Sequence, residues 1–386
     1  MKIGIYHLGA GHKDAGGKAV YNRNIALALS ERHEVTLFTK GPVHEHLKRS
    51  GVRTVSLENW FGYDIHRRLR GARPERLNSV LSILGYRMQG DPTMAELDVL
   101  ITHKWYDDLV LSHVSQVPTV YQIHGYLGNG LGGKLRARVS STPHCIANSA
   151  ATKRQIELET SQSVEGIVRP GVDLSEFRPT VAPAFESSNP IISFIGRLAP
   201  VKGLDTLLRA YPALANDAEL KIVGDGPWRE ELERVAKEVG VRAEVSFEGV
   251  VQHKNLPGYY TASDIVCHPS RYEGFGMTNL EALASGSALV TTPFGIASEI
   301  PEEDSHVTVQ PNRPDQLANA LDRLLKDPQK RRAVGETARS VAENHSWKSR
   351  AKKMELVLQR LLHSERNPVG DDSVAEPSRK APNHLR

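Results

Sequence analysis

The chain has 386 residues, a length that favours two domains of roughly 150–200 residues over one compact core. Hydrophobic residues make up 39% and charged residues 24%, an ordinary soluble composition, and no apolar run approaches the ~18–20 residues of a membrane span. Only Cys145 and Cys267 occur, which excludes a disulfide framework or a zinc site, and Met1-Lys2-Ile3-Gly4-Ile5-Tyr6 reads as a strand rather than a signal peptide, so a cytoplasmic protein is expected. The net charge of +4 is uneven: residues 1–180 hold 23 Lys+Arg against 17 Asp+Glu, and the remainder 26 against 28.

Short β-branched runs alternate with helical patterns from the first residue. Strands are predicted at 2–8, 34–39, 52–57, 98–103, 118–124, 144–148 and 166–169 in the first half. The glycine-rich stretch Gly9 to Lys18 follows the first of them. It fails the dinucleotide fingerprint, because Asp14 stands at the third glycine, and the Walker pattern, because His12 and Ala19 replace the first glycine and the Ser/Thr. Gly16-Gly17 before a predicted helix over 18–30 still lets backbone amides approach an anion at a helix N-terminus; a turn without a ligand is the alternative.

Farther on, Arg67, Arg68, Arg70, Arg73 and Arg76 fall within ten residues, opposed only by Glu75 and interleaved with Trp60, Phe61, Tyr63, Ile65 and Leu69. Such a mixture suits an anionic membrane surface or a phosphate-bearing acceptor such as a polyprenyl diphosphate lipid, against the plainer reading of a solvated helix–loop. Nucleic acid is a poor fit, since no stacking platform accompanies the charge. Asp107-Asp108 stands at a predicted helix start, where capping is favoured over metal binding.

A Pro-, Ser- and Ala-rich stretch without periodicity over 179–190 reads as a linker between a first domain, 1–178, and a second, 191–346. The second half repeats the rhythm with strands at 191–196, 218–223, 244–248, 264–268, 288–292 and 306–309. Continuous apolar runs such as Ile191-Ile192-Ser193-Phe194-Ile195 suit parallel sheets buried on both faces, so the fold class is α/β, two doubly wound Rossmann-like domains. Trp347, Ala351, Met354, Leu358 and Leu361 mark the apolar face of a helix over 347–364, and residues 365–386 form a tail expected to be disordered.

Chemistry-bearing residues cluster where predicted strands of the second domain end. Gly196-Arg197 and Lys202-Gly203 put two cations beside a helix start, where they could hold a diphosphate. Gly224 and Gly226 allow close approach of a ring or phosphate. In Glu273-Gly274-Phe275-Gly276-Met277-Thr278-Asn279-Leu280-Glu281, one carboxylate lies in a loop and the other eight residues on in a helix. That places one near a sugar's hydroxyls and the other deeper along the same ligand; Thr278 or Asn279 falls in the first helical turn, whose N–H groups can meet a phosphate. Each of these features has a bland alternative as surface charge or turn; their accumulation is what carries weight.

In that order these motifs resemble the nucleotide-sugar-binding domain of the retaining glycosyltransferases of family 4, also called group 1. The first half is similar too, at Gly16-Gly17, His124-Gly125, Asn148-Ser149 and Pro170-Gly171-Val172-Asp173, so the resemblance covers about residues 1–364. Two positions depart: Ser287 stands where proline is common, and Gly295-Ile296 replaces a usual double glycine. The resemblance implies the GT-B fold, two domains facing a cleft with the helix after Trp347 crossing back to the first. It also implies transfer of a sugar from a UDP- or GDP-sugar to a hydroxyl acceptor, a glycan or lipid-linked glycan, without metal or cofactor. Arg197 and Lys202 would stabilise the leaving diphosphate, Glu273 the donor sugar, Glu281 the ribose, and His124 would line the site. Gly196, Gly224, Gly226, Phe275, Gly276, Met277, Thr278 and Asn279 would complete the donor site, and the Gly16-Gly17 loop would close on it. A non-catalytic glycan- or nucleotide-binding partner of the same architecture, or a sugar phosphorylase or epimerase, are the alternatives.

Overall fold

The computed structural model describes residues 1–10, 17–40, 43, 45–57, 74–125, 144–160, 162–301 and 305–366. Its strands form two sheets. The first contains β1 (Lys2–Tyr6), β2 (Glu34–Thr39), β3 (Val52–Ser56), β4 (Val99–Thr102), β5 (Thr119–Ile123), β6 (His144–Ala147) and β7 (Gly166–Ile167), in the order β3-β2-β1-β4-β5-β6-β7. The second contains β8 (Ile191–Ile195), β9 (Glu219–Val223), β10 (Val245–Gly249), β11 (Ile265–His268), β12 (Ala288–Thr291) and β13 (Val307–Thr308), in the order β10-β9-β8-β11-β12-β13. The named strand pairs are parallel throughout.

Helices cover the faces. Around the first sheet lie α1 (Gly17–Ser30), α2 (Glu45–Lys48), α3 (Pro74–Met88), α4 (Trp105–Val114) and α5 (Ala150–Glu159). Around the second lie α6 (Leu204–Ala210), α7 (Arg229–Glu238), α8 (Leu256–Thr261), α9 (Met277–Ala284), α10 (Pro314–Leu325) and α11 (Pro328–Glu343). Cover on both faces is why β8 and β11 are buried at every position and read as continuous apolar runs without alternation. This is the GT-B architecture.

The last helix, α12 (Trp347–Arg366), follows the second domain in sequence but packs on the first. Its Trp347, Ala351, Met354, Leu358 and Leu361 are buried in one cluster with Ile3, Ile5, Tyr21 and Ile25 of β1 and α1. Glu355 on the same helix pairs with Arg32 at 2.9 Å, at the end of α1. The two chain crossings run side by side: Val172 N donates to His345 O at 2.9 Å, and a Cβ at Gly171 would lie 2.8 Å from Trp347 N. The first crossing therefore has room only for glycine where it passes the start of α12.

Two expectations meet different fates here. Asp107 and Asp108 do not cap α4, whose N-cap is Lys104 without a side-chain cap; both are buried in the first turn, where Asp107 accepts from Ser79 Oγ and Asp108 from Thr102 Oγ1 at 2.8 Å. Burial, only partly offset by that bond, pushes the Asp107 carboxyl up to about 7. Arg67, Arg68, Arg70 and Arg73 lie outside the described residues, as does Gly16, and Arg76 falls in α3 with its side chain undescribed. Among the described residues no helix is long and apolar enough to cross a membrane.

Gly335 of α11 faces the end of α9, and a Cβ there would sit 2.1 Å from Gly286 O. The Gly335→Ala substitution is expected to destabilise by about 1–3 kcal/mol through forced helix separation, read as a lower melting temperature. An unchanged melt would show that this packing gives way without cost.

Candidate active site

Each sheet reverses its winding once, between β1 and β4 and between β8 and β11, and the crevices outside those carboxyl ends are where a doubly wound fold places ligands. Gly196-Arg197 leaves β8 and Ser270 follows β11, so the second crevice receives Arg197, Lys202 and the 270–276 loop. Lys202 Nζ pairs with Glu273 Oε1, which also accepts from Ser270 Oγ at 2.9 Å. The pair is largely enclosed, with side-chain exposures of 22% and 13%, whereas Arg197 is exposed. One cation is thus locked to a carboxylate and the other stands at the cleft surface.

Glu281 lies in α9 and is 6% exposed. Its Oε1 is 3.0 Å from His253 Nε2, and its Oε2 accepts from Tyr260 OH at 2.9 Å. Each carboxylate oxygen retains a second lone pair, so these bonds orient the group without exhausting it. Burial disfavours the charged form of His253, but the hydrogen bond and charge of Glu281, with Glu176 behind them, outweigh it and raise its pKa. His253 and Tyr260 were not foreseen from the sequence; lying 28 and 21 residues from Glu281, they carry no spacing signal.

Several expected donor contacts turn inward. Asn279 is buried, its Oδ1 2.6 Å from His268 Nδ1 and its Nδ2 donating to Thr291 Oγ1 at 3.1 Å, so its side chain fastens α9 to β11 and β12. Its backbone N–H is taken by Gly276 O at 3.0 Å. The Phe275 ring is buried in the core beneath α9, and its carbonyl accepts from Ile296 N at 2.7 Å. Cβ atoms at Gly224 and Gly226 would lie 2.0 Å from Gly196 O and 2.2 Å from Leu198 O, so the fold itself uses their bareness to stack one loop on the other. Gly276 is the left-handed N-cap of α9, and Met277 and Thr278 stay half-buried at the cleft.

The first domain meets this loop directly. His124 follows β5, and a Cβ at Gly274 would lie 2.5 Å from His124 O and 2.8 Å from Gly125 Cα. Backbone touches backbone there, immediately beside Glu273. Gly17, opening α1, also faces the start of α9, with its Cβ position 3.7 Å from Met277 Sδ. Two helix N-termini therefore converge on the cleft.

Behind His124 stands a group the sequence reading passed over. His103 Nδ1 is 2.8 Å from His124 Nε2, and the His7 and His103 ring centroids are 6.2 Å apart. Each histidine follows a strand at or beside the β1/β4 switch, which was the available signal. Burial, reinforced by Lys104 and Lys18, depresses the His7 pKa to about 3; burial, with the neighbouring histidines and Lys18, holds His103 and His124 well below the usual range. All three are neutral at pH 7. For a histidine depressed in the folded state, the unfolded chain takes up the proton first as pH falls below its ordinary 6.5, so stability is lost from there down toward about pH 3. Asp107, raised to about 7, acts in the opposite sense over the same range, so the His7 contribution is read as a difference. In urea unfolding between pH 7 and 4, His7→Gln is expected to lose less stability than the parent, and an unaltered slope would mean that His7 is not held neutral by burial.

Two family models match the chain: "Glycosyltransferase Family 4" over residues 15–176 and "Glycosyl transferases group 1" over residues 181–341. Among curated relatives, an uncharacterised glycosyltransferase of Methanocaldococcus jannaschii is 28% identical, covering 91% of this chain and 96% of its own length. A D-inositol 3-phosphate glycosyltransferase of Corynebacterium jeikeium is 29% identical, covering 95% and 96%. Among solved structures, sucrose-phosphate synthase from Thermosynechococcus elongatus superposes with a TM-score of 0.77 at 21% identity, covering 94% of this chain and 99% of that one. Anabaena HepE in complex with UDP-glucose does so with 0.75 at 20%, covering 93% and 100%. With both halves matched in order and the two-sheet fold in common, this chain belongs to the group 1, family 4 glycosyltransferases.

Proposed function

We propose that this glycosyltransferase moves a sugar from a UDP- or GDP-sugar to the hydroxyl of a glycan or lipid-linked glycan, with retention of anomeric configuration and without a divalent metal. The observation that carries the reading is the Lys202–Glu273 pair at the end of the second sheet, pressed by Gly274 against the backbone of His124. It joins a cation for a leaving group and a carboxylate for a sugar to the wall from which an acceptor approaches. The solved Anabaena relative is bound to UDP-glucose, which supports a nucleotide-sugar donor.

In this mechanism the C1–O bond to the diphosphate breaks and its electron pair passes to the diphosphate oxygen. The acceptor oxygen forms its bond to C1 on the same face, and the acceptor proton goes to that diphosphate oxygen. Negative charge grows on the leaving group, so Arg197 and Lys202 lower the barrier rather than merely tightening binding. Lys202 is already oriented by Glu273, which leaves little reorganisation for the reaction to supply. Glu273 takes donor sugar hydroxyls, Glu281 the ribose hydroxyls, and neutral His124 lines the sugar from the other domain. The convergent starts of α1 and α9 add fixed dipoles for the diphosphate.

A second acceptor class has its own support. Curated relatives are named D-inositol 3-phosphate glycosyltransferases, and Lys18 and Lys104 charge the region around His7 at the end of the first sheet. A phosphorylated polyol would suit that region. The arginines 67, 68, 70, 73 and 76 suit a lipid-linked acceptor at the cytoplasmic membrane surface, and sedimentation with anionic liposomes that weakens as salt rises is the expected result for that alternative.

Lys202→Ala and Glu273→Ala are each expected to lower kcat by about 100-fold or more, measured with the preferred nucleotide sugar, while EDTA leaves the rate unchanged. Turnover within a few-fold of the parent would remove the pair from the chemistry, and loss of activity in EDTA would remove metal independence.

A further inference from the structure

A cavity of about 380 Å³ lies where α1, the interdomain crossing and the second domain meet. Arg23 and Asn24 of α1 form one wall, Glu176 another, and His253, Lys254 and Glu281 the third. Through Glu281 it is continuous with the proposed ribose position. Arg23 is only 6% exposed, and its Nη1 is buried without a hydrogen-bond partner. A guanidinium is donor-only, and native proteins rarely leave a buried charged donor unpaired, because the desolvation penalty then goes uncompensated. Glu176 lies close enough to favour its charge, but burial prevails and the pKa is lowered, so this wall does not satisfy the group.

What a cavity beyond a ribose can offer such a donor is an acceptor oxygen on the nucleobase. Uracil and guanine carry carbonyl oxygens of that kind, whereas adenine carries an amino donor where guanine carries O6, which opposes a donor-only guanidinium. Resting on the reading of Glu281 as the ribose contact, we propose that Arg23 is a specificity-determining residue for the donor. It reaches from the first domain to a carbonyl oxygen of a keto base held over His253 and Lys254. Base choice is then made by both domains together. The second domain supplies the ribose contact, and the preference for a keto base arises only when α1 is brought against it. A site built to hydrogen-bond a particular group rejects analogues lacking it far more strongly than an apolar pocket does.

Isothermal titration with UDP, GDP and ADP tests this on the full chain. The parent is expected to bind UDP or GDP about tenfold or more tightly than ADP, and Arg23→Met to weaken the preferred nucleotide by about tenfold or more while changing ADP by less than about threefold. Arg23→Lys, which keeps a charged donor on a similar stem, is expected to recover part of the preference, and it serves if the methionine variant melts early. An Arg23→Met protein that keeps the parent's preference, while Glu281→Ala loses nucleotide binding, overturns the role of Arg23 and leaves the ribose assignment standing. Nucleotide binding undisturbed by Glu281→Ala overturns the ribose assignment and with it this proposal. A parent that binds ADP as well as UDP and GDP also overturns it.

Discussion

Parallel strands deliver all their carboxyl ends to one edge of a sheet, and a sheet that reverses its winding opens a crevice at that edge. This molecule has two such crevices, and the chain must turn them toward each other. It does so by crossing between domains twice in adjacent tracks, with Val172 bonded to His345 and Gly171 packed against Trp347. Once α12 is buried on α1 and β1, the tracks are anchored on the first domain, and the second domain presents β8 and β11 to β1, β4 and β5. The facing of Glu273 and His124 follows from that arrangement, not from any attraction between them.

The electrostatics of the two walls differ in kind. The second wall pairs its ionisable groups: Lys202 with Glu273, and Glu281 with His253, whose pKa that carboxylate raises. The first wall suppresses charge in its histidines, because burial and the lysines nearby make protonation costly. A ligand bearing a diphosphate therefore finds oriented ion-pairing groups on one side. On the other it finds neutral hydrogen-bonding groups suited to hydroxyls. The mild overall charge of +4 conceals this division.

Strand positions were legible in the sequence because buried parallel strands are written as uninterrupted apolar runs; β8 and β11 announce themselves in five and four residues. The crossing helix was legible for the complementary reason, since Trp347, Ala351, Met354, Leu358 and Leu361 recur at the helical period and are the residues that enter the first core. Direction of side chains was less legible. Phe275 and Asn279 flank the start of α9, where a small rotation decides between cleft and core, and here the core receives both. Long-range pairs were not legible at all: Lys202 and Glu273 are 71 residues apart, and His103 and His124 are 21 apart. Only the folding of separate βα units brings such groups within bonding distance.

Among the described residues, contacts between the domains include backbone against glycine, a few polar groups and the Met277 side chain. Gly274 rests on His124 and Gly125, Gly17 approaches Met277, and Glu299 accepts from Ala150 N at 2.6 Å while pairing with Arg169. Glycine contacts bury little apolar area, so they contribute shape without much free energy. Glu299 gains from the positive end of α5, but a contact of this kind contributes only about 0.3–1 kcal/mol near a surface. Interfaces of this character open and close readily, unlike the apolar union of α12 with the first domain. In the function proposed here, a substrate bridging the two walls would add free energy to their contact, which would couple substrate binding to assembly of the catalytic groups.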